Sequence, residues 1–168
     1  VEYRNLSRQI REAALRWRDV LTDANGDVIA NEVWLYGHMN DLPIHGGADS
    51  IISLPNDRIM IVDFKKSSSG GRRKRMDLSY DSQATLYRMM IETGGAKDEK
   101  DTQLIETLRT AREIGVLYYM MNDRISLTDQ AEWFTNAAPG IAGVGPDVAS
   151  NALREVGKRL HSLGRGKV

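Results

Sequence analysis

Hydrophobic residues recur at spacings of three and four near the start of the chain: Tyr3, Leu6, Ile10, Ala13, Ala14, Trp17 and Leu21. That period predicts an amphipathic helix over residues 2–22, with Arg4, Arg8, Arg11 and Arg18 mostly on another face. Asn25-Gly26 then breaks it. From Val28 to Tyr36 the pattern favours a strand, and a polar, Gly-containing connection follows from Gly37 to Gly47. Residues 48–54 and 59–65 are β-branched-rich runs around Pro55-Asn56-Asp57-Arg58, the signal of a hairpin. A Ser/Gly stretch, Ser67 to Gly71, leads into a basic loop. Helical patterning returns from Ser79 to Thr93, closed by Gly94-Gly95, and again over 102–114 after a charged loop at 96–101. Gly115 to Met121 is a short buried strand, and 129–138 a short helix. Pro139 to Pro146 is a Gly-rich loop, and Asp147 to Leu163 a last amphipathic helix. The order implies an α/β fold with a mixed central sheet flanked by helices.

Composition narrows the class. The chain has 168 residues, 41% hydrophobic and 27% charged, which suits one packed domain over residues 1–168. Val1 and a tail ending just after a helix suggest a domain excised from a longer polypeptide. No run approaches the ~20 apolar residues of a membrane span, and no signal peptide is evident, so an intracellular (cytoplasmic) protein without membrane partners is expected. Without cysteine the chain has no disulfide framework and no thiolate-held cluster. Its 23 basic residues equal its 23 acidic ones. By itself that balance argues against non-specific nucleic-acid binding by the whole surface.

The hairpin carries the chemistry. With its centre at Asn56, residues whose numbers sum to 112 face each other, so Asp49 lies opposite Asp63. Directly opposed residues have Cβ atoms roughly 4.5–5.5 Å apart. Two carboxylates at that distance disfavour joint ionisation unless a cation sits between them. Lys65, two residues beyond Asp63, falls on the same face. Hard oxygen ligands of this kind suit Mg²⁺ or Mn²⁺. Such an ion polarises a phosphodiester and acidifies a bound water, while Lys65 is placed to orient that water or steady the developing charge.

Three ordered segments then acquire a joint meaning: Gly46-Gly47-Ala48-Asp49, Asp63-Phe64-Lys65 and Gln83-Ala84-Thr85-Leu86-Tyr87. Together they resemble the PD-(D/E)XK nuclease superfamily, and more narrowly its RecB-like exonuclease branch, which includes RecB and AddAB nuclease domains and CRISPR-associated relatives. The resemblance implies a restriction-endonuclease-like core, with Asp49, Asp63 and the carbonyl of Phe64 as metal ligands and Lys65 as the catalytic lysine. Gln83 and Tyr87, on one helical face, would contact the DNA backbone or position active-site groups. Glu32 is a further acidic candidate on the preceding strand. The branch often carries a His upstream; here the first helix has none, and Glu12 is the nearest acidic residue. His38 and His45 fall in the connection before Asp49. The missing cysteines exclude the branch members that hold an iron–sulfur cluster.

Charge distribution supports this. From Phe64 to Asp77 there are six basic residues and one acidic one, and Arg72, Arg73, Lys74 and Arg75 sit between two active-site elements, where phosphate contacts are expected. The expected activity is Mg²⁺- or Mn²⁺-dependent hydrolysis of DNA by an exonuclease of repair, recombination or mobile-element processing. A helicase or recombination partner is a candidate beside DNA; no Walker-type phosphate loop is present, so any ATP dependence is expected in another chain or domain. The alternatives are a structure-specific endonuclease and a catalytically silent DNA-binding module of a helicase–nuclease complex.

Overall fold

The first helix, α1 (Glu2–Ala24), ends in a Schellman arrangement. Asn25 takes φ 49°, its N–H donates to the Thr22 carbonyl at 3.1 Å, and the Gly26 N–H reaches Leu21 at 2.9 Å. The computed structural model describes residues 2–39, 42–77, 83–96, 98–134, 154 and 156–162. After α1 come β1 (Asp27–Met39), β2 (Leu42–Leu54), β3 (Arg58–Lys65), α2 (Ser69–Asp77), α3 (Gln83–Thr93), β4 (Gly95–Ala96), α4 (Thr102–Thr110), β5 (Glu113–Met120) and β6 (Ile125–Thr128). The strands form one mixed sheet in the order β4-β1-β2-β3-β5-β6. Only β3 and β5 run parallel, joined by the crossover that carries α2, α3 and α4.

Two cores separate the sheet faces. On one, Val33, Ala48, Ile51, Ile59, Ile61, Val116 and Tyr118 pack with Tyr87, Met90 and Ile91 of α3 and Ile105 and Leu108 of α4. On the other, Ile52, Leu54, Met60, Val62, Leu117 and Tyr119 receive Ala13, Val20 and Ala24 of α1. Strand β3 is thus covered on both faces, which is why its sequence is a nearly unbroken apolar run.

The apolar stripe of α1 is shorter than its periodicity suggests. Leu6 is 44% and Ile10 50% exposed, and burial begins at Ala13. Tyr119 anchors that point by donating its hydroxyl to the Ala13 carbonyl at 2.6 Å. Burial pushes this phenol's pKa above its ordinary value, so it stays a donor.

Several expected boundaries are corrected. The connection from Gly37 to Gly47 is mostly strand: β1 and β2 run together as far as Met39 and Leu42. Glycines obscured this, because Gly37 serves packing rather than turning. A Cβ there would lie 2.6 Å from the Met90 Cα, so only glycine lets α3 press against β1. Thr93 completes the contact by accepting the His38 N–H at 2.8 Å. The basic segment is no loop but helix α2, whose first N–H groups find an anion: Ser69 N–H donates to Asp123. The helix expected over 102–114 stops at Thr110, since Ala111 is extended and Glu113 already pairs with Arg58 in the sheet. Strand β6, four residues long, was too short for its period to register. Of residues 129–134 only Ala131–Trp133 are helical, as a single 3₁₀ turn. The stretch 135–153, with the Gly-rich loop, lies outside the described residues, as does 78–82; residues 156–162 are helical as expected.

Candidate active site

The register predicted from Asn56 is the one observed. Leu54 pairs with Arg58, Ser53 with Ile59, Ile52 with Met60, Ile51 with Ile61 and Ser50 with Val62. The turn accepts this register because Asn56 and Asp57 both adopt left-handed φ, 66° and 57°. The paired ladder ends at Ser50, one step before Asp49 would meet Asp63. There a side chain takes over from the backbone: Asp49 Oδ2 accepts the Phe64 N–H at 2.6 Å. The Asp49 carboxylate is therefore held beside the backbone of the Asp63-Phe64-Lys65 segment while remaining exposed.

Asp63 is buried, at 3% exposure, and both its oxygens are engaged. Oδ1 accepts from Gln83 Nε2 at 2.6 Å and lies 3.0 Å from the Tyr87 hydroxyl. Oδ2 is 2.6 Å from the Lys65 ammonium and makes no conventionally angled hydrogen bond. Gln83 Nε2 also reaches the Tyr87 hydroxyl at 2.9 Å, and that hydroxyl is 2.7 Å from the Gly47 carbonyl. Asp63 and Gly47 compete for the single phenolic proton. Burial, then the nearby Asp63 charge, raise the Tyr87 pKa well above the usual phenol range, so the group stays neutral. The expected pairing of Gln83 and Tyr87 on one helical face is realised as a clamp on Asp63 and on the glycine before Ala48-Asp49. A cleft of about 380 Å³, bordered by His45, Gly47, Gln83, Tyr87 and Met90, opens beside that clamp.

Phe64 points to the other face. Its ring meets Trp17 edge-on at 5.3 Å and 86°, and Tyr119 at 6.0 Å and 87°. The Met121 N–H donates to the Lys65 carbonyl at 2.8 Å. Ring packing below and ion pairing above thus pin three consecutive residues.

Glu32 lies on β1 at the level of Asp49, since Asn31 pairs with Ser50 and Val33 with Ala48 on either side of them. Its φ of 53° is the left-handed region, which costs a non-glycine residue roughly 1–2 kcal/mol. Alternation breaks at the same place: Ala48 and Ile51, three apart, both enter the α3-side core, as do Ala30 and Val33. A kink shared by both strands thus sets Glu32 and Asp49 apart from the regular pleat.

Other candidates have different partners. The Arg72 guanidinium lies over the Tyr118 ring at 4.3 Å, and Tyr118 is the register partner of Asp63 on β5; Arg72 stands beside the site with its cation on a ring face. Arg73 and Lys74 are exposed on α2, and the Arg75 side chain lies outside the described residues. Glu12 is held by Arg124 at 2.8 Å and Arg8 at 4.0 Å. His38 and His45 are strand residues, and the His45 ring neighbours Trp34 at 6.5 Å. Sequence reasoning missed the Gly47 carbonyl, the Trp17–Tyr119 wall and Asp123. Only Trp17, through its place in the helical stripe, left a trace in the pattern.

The donor set fits a hard divalent cation. Asp63 Oδ2 is buried without a well-angled hydrogen bond, and Asp49 accepts from the main-chain N–H of the next residue, Phe64. Among the described residues no group of three or more His, Asp or Glu gathers to hold a metal. Two carboxylates and a carbonyl leave positions for water and phosphate, as Mg²⁺ prefers. Among the described residues no helix is long and apolar enough to cross a membrane.

No curated protein matches the sequence significantly. A family model does, over residues 2–163, and it is that of the PD-(D/E)XK nuclease superfamily. That span includes the mixed sheet, the Asp63-Phe64-Lys65 strand and the helix that clamps it, and on this match the chain belongs to the PD-(D/E)XK nuclease superfamily.

Proposed function

We propose that the protein is a Mg²⁺- or Mn²⁺-dependent deoxyribonuclease of the RecB-like type that degrades DNA from ends. The observation that carries the reading is the Asp49–Phe64–Asp63–Lys65 cluster, in which two carboxylates and an ammonium gather at the end of one rigid strand pair. Asp49, Asp63 and the Phe64 carbonyl would hold the cation, which when bound supplies a polarised phosphodiester and a more acidic water. Lys65, whose ammonium is paired with Asp63 Oδ2, would steady charge on the non-bridging oxygens and orient the attacking water. Gln83 and Tyr87 fix the Asp63 carboxylate, so little reorganisation is needed as charge develops. Arg73 and Lys74 on α2 supply exposed cations for phosphate contacts. A helicase or recombination partner would provide any strand separation.

The test is digestion of end-labelled linear DNA and of covalently closed circles with Mg²⁺, with Mn²⁺ and with EDTA. Metal-dependent loss of the linear substrate alone is the expected result. Cleavage of closed circles would replace the exonuclease by an endonuclease. DNA binding without cleavage under either metal would leave a silent binding module.

A further inference from the structure

Helix α3 is tied to the sheet at two separated levels. On the parallel pair β3 and β5, Asp63 stands opposite Tyr118 and Ile59 opposite Ile114, so Asp63 and Ile114 are four pairing steps apart. That is about 13 Å at the usual strand rise. Two consecutive residues of α3 span the distance. Tyr87 reaches one level, where its hydroxyl lies 3.0 Å from Asp63 Oδ1. Arg88 reaches the other, where its Nε donates to the Ile114 carbonyl at 3.1 Å. Its Nη2 donates to Asp129 Oδ2, while Asp129 Oδ1 accepts the Val116 N–H at 2.9 Å. The Arg88 side chain is 30% and that of Asp129 14% exposed. A planar guanidinium fixes direction as well as distance, and an ion pair this far from water is favourable only in a narrow geometry. Sliding α3 by about 1.5 Å, the rise of one helical residue, would break both Arg88 contacts. Other polar anchors of α3, Thr93 on His38 and the Ile91 carbonyl on Arg109, lie toward its C-terminal end and face β1 and α4.

We propose that Arg88 and Asp129 are positioning residues for the metal centre. They set the height and rotation of α3 against β5, and through Gln83 and Tyr87 they set the direction in which Asp63 offers its carboxylate to the cation. The route is short. Arg88 adjoins Tyr87 in the chain, and Tyr87 and Gln83 both meet Asp63 Oδ1. Asp129 in turn is fixed to β5, the strand on which Tyr118 pairs with Asp63. Carboxylate and clamp are thereby referred to one strand from opposite sides. Groups that orient a ligand in this way tune metal affinity without touching the metal. The inference rests on the nuclease reading and deepens it by naming what holds the clamp on Asp63.

Mn²⁺ binding is measured by calorimetry without DNA, at a temperature where each variant is folded, beside its melting temperature. Arg88→Ala is expected to weaken Mn²⁺ binding about tenfold. Tyr87→Phe, which removes the hydroxyl from Asp63, should cost a similar factor. In the double variant the second substitution should add less than about threefold, because both act on one clamp. Arg88→Lys, which keeps a cation for Asp129, should recover part of the affinity. Glu113→Gln weakens the pair with Arg58 at the same end of β5 and should leave Mn²⁺ affinity within about twofold. Parent-like Mn²⁺ affinity in Arg88→Ala overturns the proposal, even with a lowered melting temperature, since the pair would then be a structural tie alone. A full tenfold loss on top of Tyr87→Phe overturns it too, because Arg88 would then act by another route. Metal-dependent cleavage by the parent, measured separately, keeps the nuclease reading standing in each of these cases. A parent that neither binds Mn²⁺ nor cuts removes the two together.

Discussion

Asp63 and Phe64 are neighbours in the chain yet are held by opposite physics. Asp63 is fixed by polar contacts: hydrogen bonds to one amide and one hydroxyl and an ion pair with one ammonium, all within 3.0 Å. Phe64 is fixed by the edges of two rings and has no polar demand beyond its own backbone. The polar side supplies chemistry at a cost, because a buried carboxylate is tolerated only while its partners stay. The aromatic side supplies rigidity, because ring packing is insensitive to charge and salt. Strand β3 therefore separates function from support within one residue step, and substitutions on its two faces should fail in different ways.

The largest expected effect is on the polar face. Lys65→Ala should lower the rate of metal-dependent cleavage per folded molecule on the order of 10²–10³-fold, with DNA binding retained and a loss of stability beside it, because buried Asp63 loses its ammonium partner. A variant that cuts as fast as the parent in a single-turnover assay would remove Lys65 from the chemistry. On the aromatic face the order reverses. Phe64→Ala should destabilise the protein by about 2–4 kcal/mol, read by urea unfolding, with activity lost mainly as the folded fraction falls. A loss of cleavage without any loss of stability would mean that the ring serves the reaction directly.

A smaller effect, in pH, tests the support of α2. Asp123 is lowered in pKa first by the Ser69 backbone N–H, then by the hydroxyls of Ser69 and Ser68. A carboxylate whose folded pKa lies below its unfolded value, about 3.9, contributes stability that is fully present above that value. The contribution disappears as pH falls through the folded pKa. Amide exchange over Ser69–Asp77 should thus quicken on acidification below about pH 4 before the central sheet opens. Asp123→Asn should flatten that dependence. Unchanged acid sensitivity in the variant would show that the cap does not hold the helix.

Much of the site was legible because it is local. The hairpin turn sets the β2–β3 register, and a one-residue slip would move every apolar side chain to the wrong face. The offset of four between Gln83 and Tyr87 likewise follows from helical geometry. The illegible parts depend on partners distant in sequence. Gly37 looks like a turn residue until Met90 is seen against it. The basic segment looks like a loop until Asp123, more than 50 residues later, caps it. The Glu32 kink left no mark in composition.

Sequence alone determined the β2–β3 register, Lys65 beside Asp63, and the hairpin and helix that carry the three motifs. Those relations are fixed by short-range periodicity, which a chain carries wherever it is placed. Tertiary structure alone decided that Asp49 takes over a ladder contact at Phe64, that Arg72 rests on Tyr118, and that Gly37 lets α3 press against β1. Each of these depends on which element packs against which, and that is settled by the burial of whole faces rather than by any one segment's pattern.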